Sequence, residues 1–195
     1  KDADYHLTFE FVLARDTAWA KKGYLLAFEQ FELQKAAPAA IAPKSTPPVQ
    51  CVETADAIEL SSVNFAAVFS KTRGVLSSYK IAGHEFLTGP LVPNFWRVPV
   101  DNDGSVNTPG NKMAARLGLW KDAGKTCCTK KIAVETINAS ECVVTSTMSL
   151  NACDSSLTAA YHVFGDGTLR VCYRLAADPK LPDIPRIGMQ MKIPR

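Results

Sequence analysis

SLTAAYHVFGDGTLRVCYRLA, residues 156–176, holds two runs that alternate or are β-branched, with Gly165-Asp166-Gly167 between them. Such a tripeptide between two strand-like runs is a tight hairpin signal, so the runs are read as antiparallel neighbours. Working outward, KIAVETI (131–137), ECVVTSTMSL (141–150) and RIGMQMKI (186–193) have the same character. Upstream, IEL (58–60) and VNFAAVF (63–69) flank a Ser61-Ser62 turn, and Lys71-Thr72-Arg73-Gly74 turns into VLSSYKIA (75–82). Ala82-Gly83-His84-Glu85 is a hairpin candidate. Only NKMAARLGLWKDAG, 111–124, predicts a helix: Met113, Leu117 and Trp120 share a face, Gly124 ends it, and Gly118 weakens it.

The N-terminal part is also strand-like. In YHLTFEFVL, 5–13, Tyr5, Leu7, Phe9, Phe11 and Leu13 face one way while His6, Thr8 and Glu10 face the other, which predicts a half-buried strand. YLLAFEQFEL, 24–33, follows a Lys22-Gly23 turn as its partner. Residues 35–49, KAAPAAIAPKSTPPV, carry Pro38, Pro43, Pro47 and Pro48 and read as a stiff extended linker. The expected fold class is all-β and mainly antiparallel, with one short helix. The expected divisions are a first domain in 1–34, a linker in 35–49 and a larger sheet domain in 50–195.

Composition bounds the function. Of 195 residues, 47% are hydrophobic and 21% charged, enough apolar content for a core. Net charge is +3 and the basic residues are scattered, so no nucleic-acid partner is expected. The apolar runs are too short for a membrane span, so no membrane partner is expected either. The chain opens KDADYHL, with neither an initiator Met nor a signal-peptide pattern, and is expected to come from inside a longer protein. The six cysteines (Cys51, Cys127, Cys128, Cys142, Cys153, Cys172) have no zinc-type spacing and are expected to be small buried apolar residues on strands.

Candidate chemistry gathers in PNFWRVPVDNDGSVNTPGNK, 93–112. Asp101 and Asp103 on an extended segment would lie about 6.5–7 Å apart on one side. Glycosidase carboxylate pairs are separated by about 5–9.5 Å, but usually come from different strands. The same residues start like a calcium loop and then fail, with Gly104 misplaced and Lys112 where a bidentate Glu belongs. Asp and Asn also stabilise polar turns through their own backbone. A turn, a cation site and part of a sugar site all remain open on local chemistry. His6, His84 and His162 lie in or beside strands without a nucleophile motif, and are expected to be surface or hydrogen-bonded. Trp19, Trp96 and Trp120 are expected in the core, with sugar stacking as the rival role.

Motif order adds a resemblance. GPLVPNFWRVPVDNDG, 89–104, resembles the start of the C-terminal domain of large bacterial β-galactosidases of glycoside hydrolase family 2, where an Asn-Phe-x-Arg-x-Pro-x-Asp-Asn-Asp run recurs. Trp120-Lys121-Asp122-Ala123-Gly124 matches the Trp-Lys-x-Ala-Gly pattern that follows. DTAWAKKGYLLAFEQFEL, 16–33, resembles the end of the family's second immunoglobulin-like domain, and Pro185-Arg186-Ile187-Gly188 a later strand of the large domain. The resemblance implies the end of an immunoglobulin-like sandwich in 1–34 and, in 50–195, the N-terminal portion of a mutarotase-like super-sandwich.

The implied parent activity is hydrolysis of terminal β-D-galactosides, such as lactose, with retention. The glucuronide and mannoside branches of the family are a poorer match to the Asp-Asn-Asp domain. The family's catalytic glutamates sit on an upstream barrel that this sequence lacks, so it implies no catalytic residue here. Its sugar-stacking tryptophan is also not in this sequence. What it does imply is a substrate-proximal loop, made here of Asp101, Asn102, Asp103, Gly104, Ser105 and Asn107. The Asp-Asn-Asp run anchors its base, and a mobile part starts at the Gly104 hinge. Asn107, Thr108, Pro109 and Gly110 replace a longer, more acidic loop of the best-known members. No cofactor or metal is expected in this chain, since the family's Mg²⁺ and Na⁺ ligands lie mostly on the barrel. The parent is expected to be a homo-oligomer. A carbohydrate-binding or mutarotase-like module without hydrolase activity is the alternative.

Overall fold

The computed structural model describes residues 3–36, 46–98, 100, 117–150 and 154–195. The chain forms two compact units, Lys1–Pro43 and Lys44–Arg195. The described residues are almost entirely antiparallel strands; the one helical element among them is a 3-10 turn, Gly118–Trp120. That turn occupies the end of the expected helix, whose residues 111–116 lie outside the described residues.

The first unit is a two-stranded ribbon of β1 (Tyr5–Val12) and β2 (Leu25–Gln34). Leu7 sits opposite Phe31 and Phe11 opposite Ala27, while Phe9 packs edge-on to Phe31 at 6.0 Å. The predicted alternation is therefore present, but its burial is not: Leu7, Phe9 and Phe11 are exposed, as is Trp19 at 64%. Trp19 packs edge-on to Tyr24 at 5.3 Å. Two strands form one layer, and an apolar face is buried only when a second layer covers it.

The second unit has two layers. One is a five-stranded meander of β3 (Gln50–Glu53), β4 (Ala57–Ser61), β5 (Phe65–Ser70), β6 (Val75–Ile81) and β7 (His84–Glu85). The other is a four-stranded meander of β9 (Cys127–Asn138), β10 (Glu141–Leu150), β11 (Ser155–Phe164) and β12 (Leu169–Ala176). Period-two alternation aims Ile58, Leu60, Phe65, Ala67 and Phe69 from the first layer at Val144, Met148, Leu157, Tyr161 and Val163 from the second. Phe69 and Tyr161 meet across the layers at 5.1 Å, edge-on, and both are fully buried. Burying side chains of this size stabilises by about 1.5–3 kcal/mol each. β8 (Gly89–Asn94) and β13 (Gly188–Lys192) form a small third sheet.

The hairpins follow their sequence signals. Ala82 and Gly83, at φ 48° and 81°, turn β6 into β7. Glu85 locks that turn by accepting from Ser78 Oγ and from the backbone N–H of Tyr79 and Leu87. At Gly165–Gly167, Thr168 N donates to Asp166 Oδ1 at 2.8 Å.

Gly165 has a second duty. Its N–H donates to Ser140 O, and a Cβ there would land on the Pro47 carbonyl oxygen. Ser140 Oγ donates to Thr46 O and Val49 N to Ala139 O, so residues 46–49 are strapped onto two hairpin turns.

The cysteines depart from expectation. Cys142 is buried, Cys127 is half-buried, and Cys51, Cys128 and Cys172 are exposed; all five are free thiols. Cys51 lies on an edge strand, while Cys128 and Cys172 fall on the outward parity of their strands. Cys153 lies outside the described residues.

Gly165→Ala is expected to destabilise the second unit by about 1–3 kcal/mol, as overpacking against a fixed carbonyl does. Gly118→Ala meets no atom within 4 Å and is expected to be neutral or stabilising by up to about 1 kcal/mol. Urea denaturation of the two variants checks the contrast.

Candidate functional site

The predicted substrate-proximal residues Asp101, Asn102, Asp103, Gly104, Ser105 and Asn107 all lie outside the described residues. What the structure gives is the base from which they extend, formed by residues 94–98 on one side and 117–124 on the other.

Each stem is fixed by its own chemistry. Leaving β8, the chain is turned by Asn94, whose Oδ1 accepts from Trp96 N at 3.0 Å. Phe95 is then driven into the core at 1% exposure. On the other side Trp120 is fully buried and packs on Phe95, ring centroids 6.0 Å apart and tilted 55°. The two stems thus meet on one buried aromatic pair, worth about 0.5–1.5 kcal/mol beyond its area.

Both stems are also tied to the irregular segment 177–187. Trp120 Nε1 donates to Pro182 O at 3.2 Å, which satisfies a buried indole N–H. Arg97 Nε donates to Pro185 O at 3.0 Å and Arg97 Nη1 to Val98 O at 3.2 Å. Because this segment forms no strand, its carbonyls are available as acceptors. After the 3-10 turn the chain passes close over β8: a Cβ on Gly124 would strike the Pro93 carbonyl. Only glycine permits that approach. The three tryptophans therefore differ: Trp120 is core, Trp96 is partly buried against the core, and Trp19 is exposed.

The sequence reading singled out Asp101 to Asn107 but missed Asn94, Pro182 and Pro185. Asn94 carried a usable signal, since an Asn two residues before an amide it can cap is a common local motif. The two proline carbonyls carried none, because backbone acceptors leave no trace in periodicity.

The other chemical candidates are separate from this base. His162 Nδ1 lies 3.0 Å from Glu141 Oε1 and 3.2 Å from Arg170 Nη2, a polar cluster on strand residues. His84 and His6 are exposed. Among the described residues no group of three or more His, Cys, Asp or Glu is placed to hold a metal. No helix among them is long and apolar enough to cross a membrane.

Trp120→Phe keeps the ring but loses the bond to Pro182 O, and is expected to cost about 0.5–1.5 kcal/mol. Trp120→Ala, which leaves a large cavity, is expected to cost about 3–5 kcal/mol. Chemical denaturation resolves the two; a Trp120→Phe variant as stable as the parent would show that the indole N–H contributes nothing.

Comparison with known proteins places the chain in a family. The family described as "Beta galactosidase small chain" matches residues 61–195, and the one described as "Beta-galactosidase, domain 4" matches residues 1–34. The chain is 31% identical over 186 residues to the beta-galactosidase of Priestia megaterium, covering 95% of this chain and 17% of that protein. It is 30% identical over 183 residues to that of Lactobacillus delbrueckii subsp. bulgaricus, covering 94% and 17%. It is 29% identical over 207 residues to that of Alteromonas mediterranea, covering 97% and 20%. The chain spans about a fifth of the length of the curated relatives it matches.

Proposed function

The chain belongs to the beta-galactosidase small-chain family, and from that premise we propose that it is a non-catalytic β module of a longer β-galactosidase. The longer protein hydrolyses terminal β-D-galactosides, such as lactose, with retention. This chain supports the catalytic domain and lends the loop beginning at Asp101 to the rim of the sugar site. Within it, residues 1–34 are the last strands of an immunoglobulin-like sandwich, 35–49 a linker, and 50–195 the first part of a mutarotase-like super-sandwich.

The observation that carries this reading is the anchored base. Phe95 and Trp120 join the two stems, and Arg97 and Trp120 tie them to 182–185. A loop that positions substrate gains from a rigid platform, because small misplacements of a contact cost large factors in rate. In this reading Asp101, Asn102 and Asp103 anchor the base of the loop, and its mobile part, with Ser105 and Asn107, begins at Gly104. No acid, base or nucleophile is assigned to this chain. Mg²⁺ and Na⁺ are assigned to the longer protein; the described residues hold no fitting ligand group, so no step here runs through a metal. The longer protein is a homo-oligomer in this reading.

The purified 195-residue chain is expected to release no nitrophenol from nitrophenyl β-D-galactoside; measurable turnover would sink the non-catalytic assignment. In the longer protein, Gly104→Ala is expected to change kcat several-fold while the melting temperature stays put, because glycine at a hinge absorbs backbone changes that alanine resists. Unchanged kinetics would reduce the loop to a connection.

A further inference from the structure

Two turns that are far apart in sequence converge on a cavity of about 210 Å³ in the second unit. One is the β5–β6 turn, which brings Thr72 and Arg73; the other follows the 3-10 turn and brings Gly124 and Lys125. Val75 and Val92 supply apolar wall and Cys127 a thiol. Among the described residues no carboxylate lines it.

The charges of the two turns are unequally satisfied. Lys71, beside Arg73, is neutralised by Glu53 at 2.7 Å and also donates to Thr54 O. Lys125 has a solvent-exposed partner in Asp122 at 3.3 Å, an arrangement of small net strength. Arg73 makes no ion pair among the described residues; the hydrogen bond it donates is from its backbone N–H to Ser70 Oγ. The cation nonetheless stands close enough to the Cys127 thiol to oppose the burial that pushes that thiol up. The turn itself is held in place, since Thr129 Oγ1 donates to Thr72 O at 3.1 Å and Gly74 packs against Ser146 and Thr129.

We propose that this cavity is a binding site for a small oxyanion, a phosphate or carboxylate group held by Arg73 and Lys125. A cleft lined by one sign of charge with apolar walls concentrates its field. A guanidinium offers the forked donor geometry that planar and tetrahedral oxyanions accept. The cavity is smaller than the roughly 300–1,000 Å³ of pockets for larger ligands. Its size suits an inorganic anion, or the end of an acidic side chain, rather than a whole disaccharide. The proposal does not depend on the galactosidase reading.

Inorganic phosphate titrated into the 195-residue chain at fixed ionic strength, followed by amide NMR, is expected to bind saturably. Amides of residues 72–75 and 124–127 are expected to shift first. Arg73→Gln is expected to weaken binding about tenfold or more, with Lys125→Gln losing less and Lys80→Gln, outside the cavity, losing nothing. Far-UV circular dichroism of Arg73→Gln verifies its fold, and Arg73→Lys, which keeps the charge, is expected to recover part of the affinity. N-acetylglutamate run in parallel separates the sources: tighter phosphate identifies a free inorganic anion, tighter carboxylate an acidic side chain. Shifts that never saturate, that spread over all surface lysines, or that survive Arg73→Gln overturn the site.

Discussion

The contact on which the second unit depends is the closure of two antiparallel meanders over one apolar interior. Neither sheet could persist alone, because each presents a full row of large side chains on one face. Phe69 and Tyr161, meeting edge-on at 5.1 Å, fix how the faces interlock. Once they are set, strand parity fixes every other inward position, since a one-residue slip would turn Val144, Met148 and Leu150 outward. The strap at 46–49 depends on the same closure, because Ser140 and Gly165 come from two hairpin turns at one end of the four-stranded sheet.

The small third sheet solves a different problem. β8 carries Pro90 and Pro93, neither of which can donate to a ladder. It pairs only with β13, so one side of it is spared the demand for donors. Proline stiffness then becomes useful: β8 leads a nearly fixed backbone into Asn94, Phe95 and Arg97. The residues that anchor the loop base are therefore delivered by a strand too proline-rich to join either large sheet.

Much of this fold was legible in the sequence, and the failures have definite causes. The strands at 58–60, 63–69, 75–82, 131–137, 141–150, 156–164, 168–176 and 186–193 were found because alternation and β-branching report a pleated, one-sided environment directly. β3 was missed because four residues, QCVE, give too short a pattern. β8 was expected only as a strand before the Asp101 loop and was given no bounds, because its prolines argue against a strand unless its edge position is known. Alternation in β1 identified the strand and its two faces correctly, yet gave the wrong burial. A pattern states which face is apolar; whether another layer covers that face is a tertiary fact. The same distinction separates Trp19 from Trp120, two tryptophans with equal composition value and opposite exposure. Of the candidate site, Asp101 and Asp103 stood out by spacing and local chemistry, and the loop role of 101–107 came from motif order. The platform beneath them was not legible, because it is built from backbone carbonyls at Pro182 and Pro185.

Rigidity at that platform and glycine beyond it are complementary requirements. A buried aromatic pair and three side-chain bonds fix the platform: Asn94 to Trp96, Arg97 to Pro185, and Trp120 to Pro182. If the base gave way, energy from a substrate contact would be dissipated in rearranging the stems. On the proposed reading, residues beyond it as constrained as the base would keep the loop from admitting and releasing substrate. The sequence divides these demands at the boundary between Asp103 and Gly104, with hydrogen-bonding carboxylates and an amide before it and the most permissive backbone residue after it. On the proposed reading, the buried aromatic pair holds the stems and glycine supplies the backbone freedom beyond them.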